Sequence, residues 1–79
     1  MTTTNARVPV GTPTGFLARE FGGKRLALQV MESAAGWYLG TATEEGPFTR
    51  ESLEYWKENG QARARAALAS GDWSQRDEP

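Results

Sequence analysis

Seventy-nine residues carrying nine Lys/Arg and ten Asp/Glu have a net charge of −1 and a pI near 5.3, without the basic excess by which a free-standing nucleic-acid binder neutralises phosphates. There is no His and no Cys, which excludes disulfides and removes the commonest catalytic bases, nucleophiles and zinc ligands. The length allows one domain with a small core, and no apolar run approaches the roughly 20 residues that span a bilayer, so a cytoplasmic location is expected.

Residues 1–14 are Thr-rich and broken by Pro9, Gly11 and Pro13. They read as a flexible arm or an irregular edge segment, or as an arm ordered only against a partner. They lack the apolar centre of a signal peptide. The domain is expected over 15–76, with 77–79 as a tail.

Phe16 to Phe21 reads as extended and leads into Gly22-Gly23, a pair suited to a two-residue hairpin loop with positive φ. Lys24 to Glu32 alternates, with Leu26, Leu28 and Val30 on one face and Arg25, Ala27, Gln29 and Met31 on the other. Period two over this stretch predicts a strand with one buried side. Ser33 to Gly36 is a turn, and Trp37 to Thr43 is a third strand. There Trp37, Leu39 and Thr41 face one way, and Tyr38, Gly40 and Ala42 the other. A bare Gly40 beside Tyr38 implies an aromatic lying across it from a neighbouring strand, or a bulge.

After the break at Glu44-Glu45-Gly46-Pro47, residues 48–57 fit two templates. As a strand, they put Phe48, Arg50, Ser52, Glu54 and Trp56 on one face. As a helix capped by Thr49, they bring Leu53 and Trp56 together. The alternation of Leu53 with Tyr55 and the preference of Trp and Tyr for pleated surfaces favour the strand. Asn59 as N-cap, the Ala-rich run from Gln61 to Ser70 and Gly71 just beyond it predict a helix. Ala62, Ala66 and Ala69 would line its packing stripe, Trp73 would fold back over the core, and residues from Arg76 onward would trail off. The fold class is therefore α+β: a small antiparallel sheet of three or four strands, opening with an N-terminal hairpin and covered by one C-terminal helix.

Catalysis finds little footing. Ser and Thr lack a His base, and Glu44-Glu45 with Glu51 and Glu54 flank a Gly-Pro turn without calcium-loop spacing. Gly22-Gly23-Lys24-Arg25 lacks the spacer of a phosphate-binding loop. No enzyme activity, catalytic residue, cofactor or metal is expected. Aromatic and Arg anchors among polar neighbours are instead the makings of a protein interface. The candidate partner-binding residues are Glu44, Glu45, Arg50, Glu51, Glu54 and Tyr55, with Glu58 extending the acidic stretch. The glutamates would project from one sheet edge toward a basic partner, with Arg50 and Tyr55 giving direction. The competing reading stacks nucleic-acid bases on Trp37, Tyr38, Tyr55 or Trp56.

The run Trp37-Tyr38-Leu39-Gly40-Thr41, then Glu45-Gly46-Pro47-Phe48-Thr49-Arg50-Glu51-Ser52 and Glu54-Tyr55-Trp56, closes with an Ala-rich segment and Gly71-Asp72-Trp73-Ser74-Gln75-Arg76. Over residues 36–76 it resembles small uncharacterised proteins carried on proteobacterial plasmids and prophages. Size, missing catalytic residues and mildly acidic balance also resemble anti-CRISPR proteins acting on type I-C systems. The resemblance implies a non-enzymatic inhibitor from a phage or other mobile element, working in the host bacterial cytoplasm as a monomer or small homo-oligomer. It would bind the CRISPR Cascade complex stoichiometrically and block target DNA binding. The alternative it implies is a plasmid or prophage maintenance protein that binds nucleic acid through its sheet face.

Overall fold

In the computed structural model, which describes residues 11–79, the elements run α1 (Phe16–Gly22), β1 (Gln29–Ser33), β2 (Gly36–Thr43), β3 (Gly46–Arg50) and α2 (Gly60–Ser70). The sheet is antiparallel with order β1-β2-β3, so the chain is α+β as its alternation implies. Most of the expected arm, residues 1–10, lies outside the described residues. Its last part is tied down: the Leu28 N–H donates to the Pro13 carbonyl and the Gly15 N–H to that of Leu26, both at 2.9 Å.

The segment expected to open the hairpin is a helix. Gly23 takes the left-handed conformation (φ 68°) as the cap of α1, not as a hairpin loop. Its N–H donates to the Arg19 carbonyl, and the Lys24 N–H to that of Ala18, closing the last turn as left-handed glycine caps do. Positive φ at a glycine serves either ending equally well, and the helix is the one that buries Leu17 and Ala18 together. The strand expected over 24–32 keeps its alternation, with Leu26 and Leu28 buried. Regular pairing with β2 begins only at Gln29, and Ala27 just before it bridges Thr14.

Between β2 and β3 the register slips at Thr41/Ala42: Thr49 pairs with Thr41 and Pro47 with Ala42. Phe48 is the surplus residue of a β-bulge, a device that redirects a side chain. Its ring lies where a Cβ on Gly22 would stand, so the bulge lays Phe48 across the end of α1. The aromatic over Gly40 is Tyr38 of the same strand, and the Thr49 carbonyl closes the other side. No side chain fits there.

Residues 48–57 are neither a full strand nor a helix. Pairing is regular to Arg50, opposite Gly40, and returns only at Trp56, opposite Trp37. Six steps along one chain against three along the other push Leu53, Glu54 and Tyr55 out of the ladder. Leu53, whose alternation with Tyr55 favours a strand here, lies outside any strand and is 57% exposed. Part of the backbone finds partners outside the ladder: the N–H groups of Glu51 and Ser52 donate to the Leu39 carbonyl, and that of Leu53 to Ser74.

The core gathers Leu39, Trp56, Ala64 and Ala67, with Val30, Trp37, Leu68 and Trp73 against them. Trp73 thus folds back as expected. The buried stripe of α2 is Gly60, Ala64 and Ala67, not Ala62, Ala66 and Ala69, which are exposed. Gly60 sits directly on the Trp37 ring, and that contact fixes the rotation of the helix. Asn59 stands at the N-cap position in a left-handed conformation (φ 53°) and makes no side-chain cap bond. The chain after Trp73 does not trail off at Arg76: Gln75 bridges Ser52, and the Arg76 N–H donates to the Glu51 carbonyl at 2.7 Å.

Candidate functional site

Strand alternation gives the sheet two unlike faces. Leu39 packs on α2, and the Thr41 methyl lies against Gly15 at the start of α1, so both helices share one face. On the opposite face stand Tyr38 and Gly40, with Met31 and Gln29 across from them on β1 and Arg50 across from Gly40 on β3. No helix of the described residues covers it.

On that open face the expected anchors Arg50 and Tyr55 meet Tyr38. The ring of Tyr55, pushed out by the irregular segment, stands edge-on to Tyr38 with centroids 5.8 Å apart. The Arg50 guanidinium lies 4.6 Å over the Tyr55 ring, within cation–π range. Its Nη1 donates to the carbonyls of Ser52 and Leu53, each at 3.2 Å, so the arginine is held from two sides. Tyr38 is only 7% exposed, although no helix covers it. Burial raises its phenol pKa, the Tyr55 neighbour adds to this, and Arg50 opposes both. The phenol therefore stays neutral near pH 7 and remains able to donate a hydrogen bond.

The glutamates do not form one edge. Glu44 and Glu45 are exposed in the β2–β3 turn, where the Glu45 N–H donates to the Thr43 hydroxyl at 3.2 Å. Glu58 follows Lys57, which lies beside Gly36 at the other end of β2, roughly 25 Å away along the strand. Glu54 turns to the Ser74 N–H, which reaches both carboxylate oxygens at 3.0 Å. Slight burial raises its carboxyl pKa, but the bonds to Ser74 outweigh that and hold it below the ordinary value.

Glu51 leaves the expected interface altogether, because its side chain is fully buried. One oxygen, Oε1, accepts from the Leu17 N–H at 2.9 Å and from Gln75 Nε2 at 2.8 Å. The other, Oε2, accepts from the Ala18 N–H at 3.1 Å and from the Thr49 hydroxyl at 2.6 Å. Since that hydroxyl gives its one proton to the carboxylate, Thr41 is the donor in the 2.6 Å contact between the two threonines. Gly15 has no side chain with which to cap α1, and Glu51 supplies the cap from the sheet. Burial pushes the Glu51 carboxyl up, but the donors of Thr49, Leu17, Gln75 and Ala18 prevail and keep it below the ordinary 4.5. A Cβ at Gly15 would collide with this carboxylate and with Thr41.

The Tyr38–Tyr55 contact and the Arg50 anchoring escape a periodicity reading because they depend on a segment that leaves the ladder. The Glu51 network escapes it because its partners lie 33 and 34 residues away. Its only local hint is Thr49, two positions earlier.

Among the described residues, no group of three or more His, Cys, Asp or Glu is placed to hold a metal ion. No helix among them is long and apolar enough to cross a membrane. No protein-family model, no curated protein and no solved structure matches the chain.

Proposed function

We propose that this chain is a non-enzymatic, protein-binding inhibitor of the kind carried by phages and other mobile elements, and specifically an anti-CRISPR that occupies Cascade and keeps target DNA off it. The observation that carries the protein-binding reading is the Arg50–Tyr55–Tyr38 cluster on the helix-free sheet face, rimmed by the exposed Leu53. Aromatic and Arg side chains already held in place are what interface hot spots are made of, because little conformational freedom remains to be lost on binding. The Cascade assignment rests on the sequence resemblance. Glu44 and Glu45 at the β2–β3 turn suit electrostatic approach to a channel lined by Lys and Arg.

Titration of purified Cascade with this protein is expected to abolish target-DNA binding stoichiometrically, at amounts equimolar with the complex. Recovery of untouched Cascade after the inhibitor is stripped away is part of the expectation. Turnover of many complexes by one inhibitor, or a covalent change left behind, would overturn the non-enzymatic reading. Reversing the turn charges with Glu44→Lys and Glu45→Lys together is expected to slow association about tenfold at low salt and to matter little at high salt. An unchanged association rate would remove the acidic turn from the interface.

A further inference from the structure

We infer that the helix-free sheet face recognises a single carboxylate side chain of a protein partner, with Arg50 as the reading group. This rests on the protein-binding reading above and names the chemistry of the partner. Nη1 of Arg50 is committed to the Ser52 and Leu53 carbonyls. The other edge of the guanidinium, Nε with Nη2, makes no bond among the described residues. Two parallel N–H groups on a planar fork match the two oxygens of a carboxylate.

The fork is held in place before any partner arrives, by two carbonyls on one side and the Tyr55 ring beneath. Within the described residues the ion pair joins Arg19 to Glu20, and Arg50 has no carboxylate of its own. Its neighbours on the face are Gln29, Met31 and Tyr38, all uncharged. A nucleic-acid strand requires several cations along its phosphates, and here Arg50 is joined by Arg76 alone, whose Nη1 is already committed to the Arg50 carbonyl at 2.9 Å. A preorganised Arg among uncharged neighbours, with the nearby Arg76 occupied, instead selects one acidic side chain. The exposed Leu53, whose carbonyl holds Arg50, gives an apolar neighbour to that acidic residue a place to pack.

The test uses the isotope-labelled full chain and three probes: a blocked Leu-Glu-Leu-Phe peptide, its Leu-Gln-Leu-Phe counterpart and a ten-nucleotide oligothymidine. The Glu peptide is expected to shift the Arg50 Nε–Hε and Tyr55 ring resonances, with the Gln peptide about tenfold weaker. Arg50→Lys, checked for an intact spectrum, is expected to lose that preference, because an ammonium is a point charge without a fork. Equal response to both peptides, a tighter response to the oligonucleotide, or no response at millimolar Glu peptide would each overturn the inference. Wild-type comparison of the two peptides decides the matter even if Arg50→Lys fails to fold. Cascade binding is measured in parallel: Glu-selective binding without Cascade binding upholds this inference and discards the Cascade reading. Cascade binding without Glu selectivity does the reverse.

Discussion

Glu51→Gln is expected to lower unfolding stability by about 3 kcal/mol, read as a shift of the urea midpoint at unchanged slope. The substitution is nearly isosteric, so packing is not what it tests. Each carboxylate oxygen accepts two bonds, from Leu17 and Gln75 at one and from Ala18 and Thr49 at the other. Whichever oxygen becomes an NH₂ faces two donors, and a fully buried site offers no water to relieve them. A cost below about 1 kcal/mol would show that the carboxylate is not what holds α1 to the sheet.

The same site sets a pH dependence. The folded-state pKa of Glu51 lies below its ordinary 4.5, so the native state favours the ionised form. The stabilisation is fully present above the ordinary value and is lost as pH falls from there through the folded-state value. Glu54 shifts in the same direction. Glu51→Gln should therefore flatten the acid limb of the stability curve, and the gap between variant and parent should narrow below pH 4.5. A constant gap across that range would assign the loss to shape and not to charge.

Leu39→Ala is expected to cost about 3 kcal/mol as well, for a different reason. Leu39 is fully buried between the sheet and α2, and its truncation leaves a cavity that the surrounding Trp and Ala side chains cannot close. A domain this small has on the order of 5 kcal/mol in total. The variant should be partly unfolded at 37 °C. Leu53→Ala is the matched control: at 57% exposure it should change stability by less than about 0.5 kcal/mol. Equal losses at the two positions in urea melts would contradict the placement of the core.

The two leucines also mark where sequence reading succeeds and where it stops. Strand β2 was legible because its neighbours repeat at period two and a turn closes each end. Leu26 and Leu28 were legible as buried for the same reason, although their strand partner was not. Phe16 to Gly23 misled because a Gly-Gly pair ends helices and hairpins alike, and its choice was made by a carboxylate far along the chain. The strand suggested by Leu53 and Tyr55 stops at Arg50 because alternation assumes an unbroken ladder, and three surplus residues before Trp56 break it. At the site, Arg50 and Tyr55 were legible by residue type, and the structure brings them together. Glu51 goes against its type: charge suggests surface, but four donors make an interior home for it.

The carboxylate of Glu51 is also where remote parts of the chain meet, since Leu17 and Ala18 bond one oxygen each and Gln75 shares the oxygen of Leu17. Cutting the chain after Trp73 would therefore do more than shorten it. One oxygen would lose its amide donor, the Arg76 guanidinium would no longer hold the Arg50 carbonyl, and the outer edge beside Ser52 would lie bare. Loosening would be felt first in α1, more than fifty residues upstream. Amide exchange at Leu17 and Ala18 thus reports on the integrity of the last few residues, and a fusion partner attached there acts on the opposite end of the sequence.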